Sequence, residues 1–127
     1  MEKIKDNCYG VPNFYGALVL YVPQTTPLKS ISCILQEYKE VRSYDNILEI
    51  VYREVKGVRC WEVDYLLSTL FSICDLEVVS KAVDILKGQV LIDISFTHSE
   101  KYPVLIFEKI NMDIIRMLHA DISIDPY

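Results

Sequence analysis

Two histidines and four glycines are all that this chain of 127 residues holds of two residue types on which small active sites are commonly built. His98 and His119 stand outside any recognised motif, so imidazole acid–base chemistry has little material to work with. His98 reads as a strand-end residue beside Ser99. His119 reads as a last-turn helix residue, where a cation suits the helix dipole. The few glycines offer little for a phosphate cradle, and no G-x-S-x-G, H-E-x-x-H, P-loop or G-x-G-x-x-G is present. Cys8, Cys33, Cys60 and Cys74 form no C-x-x-C pair and match no zinc spacing. They read as free, mostly buried thiols of a reducing compartment. No apolar run approaches the roughly 18–20 residues that span a bilayer. No apolar h-region follows the lysines of "MEKIKDNCYG", so no signal peptide is expected. These absences predict a cytoplasmic protein with no membrane contact, no metal, no cofactor and no enzymatic activity.

What is present is a core and a charge imbalance. Hydrophobic residues make up 51% and charged residues 24%, the profile of a globular chain. The length predicts one domain, 1–127, long enough to bury a core unaided. The net charge of −5 is uneven: residues 1–60 carry +1 and residues 61–127 carry −6. An acidic second half argues against direct nucleic-acid binding, which needs a cationic surface. It suits a basic protein partner, although an acidic pI also serves plain solubility. Nine tyrosines add amphipathic side chains of the kind enriched at interfaces, or of half-buried strands.

The patterning predicts alternating strands and helices. Residues 1–15, with Gly10 and Pro12, read as a loose arm. "GALVLYV" (16–22) reads as a buried strand. A helix is expected over 27–38, with Pro27 in its first position and Leu28, Ile31, Ile34 and Leu35 on its inner face. "SYDN" (43–46) is a turn signal. "ILEIVYREV" (47–55) and "VRCWEVDY" (58–65) read as a hairpin about Lys56–Gly57, with Trp61 anchoring the core. Helices are expected over 66–74 and over 75–88, the second capped by Asp75 and stopped by Gly88. "QVLIDISFTHS" (89–99) alternates cleanly, with Val90, Ile92, Ile94 and Phe96 on one face. After a turn at 99–103, "VLIFE" (104–108) reads as a returning strand. A helix capped by Asn111 (112–120) and a last strand, "DISID" (121–125), close the chain. The fold expected is α+β: a mainly antiparallel sheet with helices on one face, a ferredoxin-like βαββαβ start and a C-terminal βαβ extension.

Asp121 and Asp125 raise the question of a paired carboxylate site. Four apart on a strand they point the same way but lie roughly 13 Å apart, too far to share a proton or one metal. They read as solvent-facing carboxylates that also discourage edge pairing. Asp93 joins them in an acidic patch if the two strands pair. Glu62 and Asp64, on the outer face of the expected 58–65 strand, complete the candidate partner-binding set: Glu62, Asp64, Asp93, Asp121 and Asp125.

Residues 58–127 resemble a family of small bacterial α+β domains of unknown function. The resemblance rests on "CWEVDYLLSTL", "VVSKAVDILKG", "QVLIDISF" and "INMDIIRMLHADISIDPY", and most specifically on "ISIDPY", with Pro126 standing where an aliphatic is common. It implies a tryptophan-bearing strand, a leucine-rich helix, a helix ending in Gly, a strand and a closing helix–strand. Small acidic members resemble immunity proteins of contact-dependent toxins. The resemblance therefore implies a protein that binds and neutralises a cognate toxin, a basic nuclease domain, by occluding its active site. The competing expectation is a small ligand-binding or enzymatic domain with a pocket between sheet and helices.

Overall fold

The computed structural model of the protein describes residues 10–97 and 102–126. Among them the order is β1 (Asn13–Pro23), α1 (Leu28–Leu35), β2 (Glu40–Tyr44), β3 (Ile47–Arg59), α2 (Val63–Ser72), α3 (Leu76–Leu86), β4 (Gln89–Phe96), α4 (Lys109–Met117) and β5 (Asp121–Pro126). The strands form one sheet ordered β2-β3-β1-β4-β5. All neighbours are antiparallel except β4 and β5, which run parallel because α4 carries the chain back between them. The result is a single α+β domain with a five-strand mixed sheet and four helices. Cys8, His98, Tyr127 and the first nine residues of the expected arm lie outside the described residues, as does most of the 99–103 turn. The arm's last three residues, Asn13–Tyr15, belong to β1.

The helices share one face of the sheet. Leu20, Val22, Ile50, Ile92 and Ile94 meet Ile31 and Leu35 of α1, Leu66, Leu67 and Leu70 of α2, Val79 and Ala82 of α3, and Leu118 just after α4, in one core. Leu118 and the strand isoleucines are almost wholly shielded from water. Burial on this scale, at about 25 cal/mol per Å² of apolar surface, is the main force holding the layers together. Ile122 and Ile124 of β5 pack against the same core.

Four local readings give way to the tertiary structure. The hairpin forms at Asp45–Asn46, not at Lys56–Gly57. Both turn residues take positive φ (48° and 65°), the signature of a two-residue turn matched to strand twist. β2, unanticipated, pairs back onto β3 there. Gly57 (φ 68°) lies inside a continuous β3 of 13 residues. Gly16 pairs with Val55 and Phe14 with Val58, so Lys56 and Gly57 face Tyr15 alone: Gly57 serves a β-bulge. Second, the expected strand 58–65 breaks after Arg59, because Val63, Leu66, Leu67, Leu70 and Phe71 follow helical spacing and are all buried. Trp61 is consequently exposed at the entrance to α2. The large buried anchor is Tyr52, whose hydroxyl accepts from the Asp75 amide at 3.4 Å. Third, "VLIFE" forms only one bridge, Val104 with Glu62. The free edge of β4 is already taken by β5, leaving no slot in the sheet.

The fourth concerns helix ends. Pro27 precedes α1 in an extended conformation, and α1 stops at Gln36 (φ 63°), leaving Leu28 exposed. Asp75 does cap α3, accepting from the Val78 amide at 3.2 Å. The left-handed residue ending that helix is Lys87. Gly88 is required for another reason: a Cβ there would come within 3.0 Å of the Tyr21 carbonyl oxygen and of Val22 Cγ1. Asn111 lies inside α4, where it is buried and bonds across to α2. His119 follows that helix with φ 50°.

Candidate functional site

Strand alternation sends every second side chain to the face away from the helices. β1 contributes Tyr15, Ala17, Val19 and Tyr21. Their register partners add Glu49, Val51 and Glu54 from β3 and Leu91, Asp93 and Ser95 from β4. β2 extends the face with Glu40, Arg42 and Tyr44, and β5 with Asp121, Ser123 and Asp125. At the centre Ala17, Val19 and Val51 form a small apolar strip, flanked by Tyr15, Tyr21 and Leu91. Around it stand six carboxylates, Glu40, Glu49, Glu54, Asp93, Asp121 and Asp125, and one arginine, Arg42.

Phenols hold several of these carboxylates. The Tyr15 hydroxyl donates to Glu54 Oε2 at 2.7 Å. Tyr21 and Tyr44 both donate to Glu49 Oε2, at 3.1 and 2.7 Å. Arg42 approaches Glu49 Oε1 at 3.7 Å and Glu40 at 2.6 Å, and Lys56 approaches Glu54 from the rim at 3.5 Å. Burial, then the hydrogen bond to a carboxylate, raises the Tyr15 and Tyr21 phenols well above their ordinary range, so they remain donors. The hydrogen bond from Tyr15 lowers the Glu54 carboxyl. Asp93 moves the other way: burial first, then the neighbouring charges of Asp125 and Glu49, push its carboxyl up. Ser123 donates to Asp125 Oδ2 at 2.9 Å.

Of the five sequence candidates, Asp93, Asp121 and Asp125 come together here. Glu62 and Asp64 do not. Glu62 precedes α2 on the far side of the sheet. Asp64 is buried, with Oδ1 accepting from the Glu108 amide and from Asn111 Nδ2, both at 2.9 Å; it ties α4 to α2. Sequence reasoning missed Glu40, Glu49, Glu54 and the three tyrosines. A signal for one of them was present: Leu48, Ile50 and Tyr52 alternate with Glu49. β1 is apolar on both faces, so its outward tyrosines were not distinguishable from inward ones.

Among the described residues no three of His, Cys, Asp and Glu are grouped to hold a metal ion, and no helix is long and apolar enough to cross a membrane. Against the expectation of mostly buried thiols, Cys33 is exposed and Cys60 half-buried. Cys74 is more enclosed: its thiol donates to the Leu70 carbonyl, and burial pushes it up to about 12, the profile of an inert thiol. An open depression of 660 Å³ between α1 and β3 contains Lys39 and Arg53. Arg53 is already committed there, stacking 4.1 Å over the Tyr52 ring and donating to the Tyr52 and Glu37 carbonyls. No known protein family, curated protein or solved structure matches the chain.

Proposed function

We propose that this protein is an immunity-type inhibitor that binds a basic toxin domain, a nuclease, and neutralises it by covering its active-site cleft. The observation that carries the reading is the sheet face itself, where among the described residues six carboxylates surround an apolar strip, set against Arg42 and, at the rim, Lys56. Phenolic hydrogen bonds hold Glu49 and Glu54 in place, so little side-chain entropy remains to be lost on binding. Carboxylates displayed in this way take the place of phosphates before the Lys and Arg of a nucleic-acid cleft, and tyrosines at the rim supply anchors of low entropy cost. The resemblance of residues 58–127 to a family of small bacterial α+β domains of unknown function, whose small acidic members resemble immunity proteins, supports the same reading, as does the overall acidity. The toxin acts in the cytoplasm, and the inhibitor is expected there. The strands β4-β1-β3-β2, all antiparallel, further suit a ferredoxin-like unit to which α4 and β5 are added.

The test is coexpression with candidate toxin domains taken from the genes that neighbour this one. The wild type is expected to restore growth, and purification of one protein to bring down the other. Replacing Asp93, Asp121 and Asp125 together by Asn is expected to slow association and flatten its dependence on salt. Toxicity that persists without any complex would refute neutralisation. A complex whose association rate ignores salt would keep the inhibitor and reject the charged face as its binding surface.

A further inference from the structure

The opposite side of the molecule carries an apolar surface that the acidic face does not explain. Val104 is fastened to the entrance of α2: its amide donates to the Trp61 carbonyl at 2.7 Å and its carbonyl accepts from Val63 at 3.1 Å. Four residues on, the Glu108 amide is fastened to Asp64, whose carboxylate is itself held by Asn111. Residues 105–107 are therefore pinned at both ends, between the start of α2 and the start of α4. Phe107 of this short bow packs against the core, but the two side chains before it do not turn inward. Ile106 is 74% exposed and Leu105 59%. Ile110, in the first turn of α4, is exposed too, as are Trp61, Tyr65 and Tyr102. Among the described residues no backbone partner reaches the amides of Leu105, Ile106 or Phe107.

We infer that this surface, Trp61, Tyr65, Tyr102, Leu105, Ile106 and Ile110, is where a second copy of the chain docks. The area fits. Six large exposed residues present roughly 700 Å², close to the share of about 800 Å² that one partner contributes to a standard interface. An ordinary monomer leaves only a few hundred Å² of contiguous apolar surface. The chemistry fits too. A two-fold contact sets the same patch against itself, so an apolar patch is complementary to its copy without any matching charge. The six carboxylates lie on the other face of the sheet, away from the helix layer, so two copies joined here keep their most acidic surfaces apart. A partner selected by charge is drawn to that other face. Trp and Tyr beside aliphatics make the kind of centre that dominates interface energy.

Sedimentation of the full chain alone, from micromolar to submillimolar concentration, tests this with no toxin present. The expected result is a species of twice the 14.7 kDa chain mass. Leu105→Lys with Ile106→Lys is expected to weaken self-association by roughly thirtyfold or more, the loss of a hot spot, with an unchanged circular dichroism spectrum. Ile110→Lys, at an exposed helical position, is expected to do the same and serves if the double variant misfolds. Ile85→Lys on α3 and Asp93→Asn are expected to leave the dimer intact. A wild-type monomer at every concentration overturns the inference, whether the patch is then covered by undescribed residues of the same chain or by a different protein. A dimer that survives Ile110→Lys and the double variant also overturns it. Because these readouts involve only this chain, failure of the neutralisation assay leaves them unaffected.

Discussion

The two faces of the sheet are built from the same strands and do opposite work. In β4, Val90, Ile92, Ile94 and Phe96 vanish under the helices, while Leu91, Asp93 and Ser95 between them face outward. In β3, Ile50 belongs to the core and its neighbour Glu49, half-buried on the other face, accepts two phenolic hydrogen bonds. Stability is concentrated on one face and charge on the other, separated by the thickness of a backbone. Substitutions one residue apart are therefore expected to fall in different classes.

The sharpest way to break this contrast is to remove the strand that serves both faces. Deleting residues 121–127 strips Ile122 and Ile124 from the core and leaves the edge of β4 unpaired. Cooperative thermal unfolding, followed by circular dichroism, is expected to be lost. A truncated chain that melts at the wild-type temperature would mean that β5 contributes nothing to the core. Next in size is Leu118→Ala, at a position 1% exposed under the sheet. Lost transfer energy and a residual cavity are expected to cost about 2–5 kcal/mol in urea denaturation. An unchanged midpoint would detach the end of α4 from the core.

On the open face the expected effects are smaller and their signs depend on pH. Asp93 is pushed up in the folded state, so the fold favours its protonated form. Its contribution is favourable below the unfolded carboxyl pKa and is lost as pH rises through the folded value. Asp93→Asn is thus expected to raise the neutral-pH denaturation midpoint slightly, with no gain at acidic pH. A fall at neutral pH would show that the carboxylate is stabilising. Glu54 has the opposite sign. Its carboxyl is held low by the Tyr15 hydroxyl, so its contribution is present above the unfolded pKa and fades as pH falls through the folded one. In Tyr15→Phe, carboxyl titration by NMR is expected to return Glu54 toward the ordinary carboxylate range. A curve that does not move would assign the shift to Lys56 and the other nearby cations. The smallest effect is expected from Asp121→Asn with Asp125→Asn: stability near wild type, and an Asp93 titration moved downward once the charge of Asp125 is gone.

The sequence by itself determined the parts governed by short-range physics. The alternation of 89–96, the helix carrying Leu66, Leu67, Leu70 and Phe71, and the Asp75 cap all depend on neighbours within a turn or a pleat. Each appears as read. What only the tertiary structure decided is who pairs with whom. Asp45–Asn46 and Lys56–Gly57 both have turn chemistry; β1 is long enough to pair with β3 across Gly57, so one became a hairpin and the other a bulge. "VLIFE" has strand propensity, but a strand needs an edge, and β5 occupied it. The acidic face shows the same limit most plainly. Charge counted along the chain places the negative charge in residues 61–127, yet Glu40, Glu49 and Glu54 come from the half with net charge +1. They meet Asp93, Asp121 and Asp125 because β1 lies between β3 and β4, and strand order is set by which long-range pairing buries the most apolar surface.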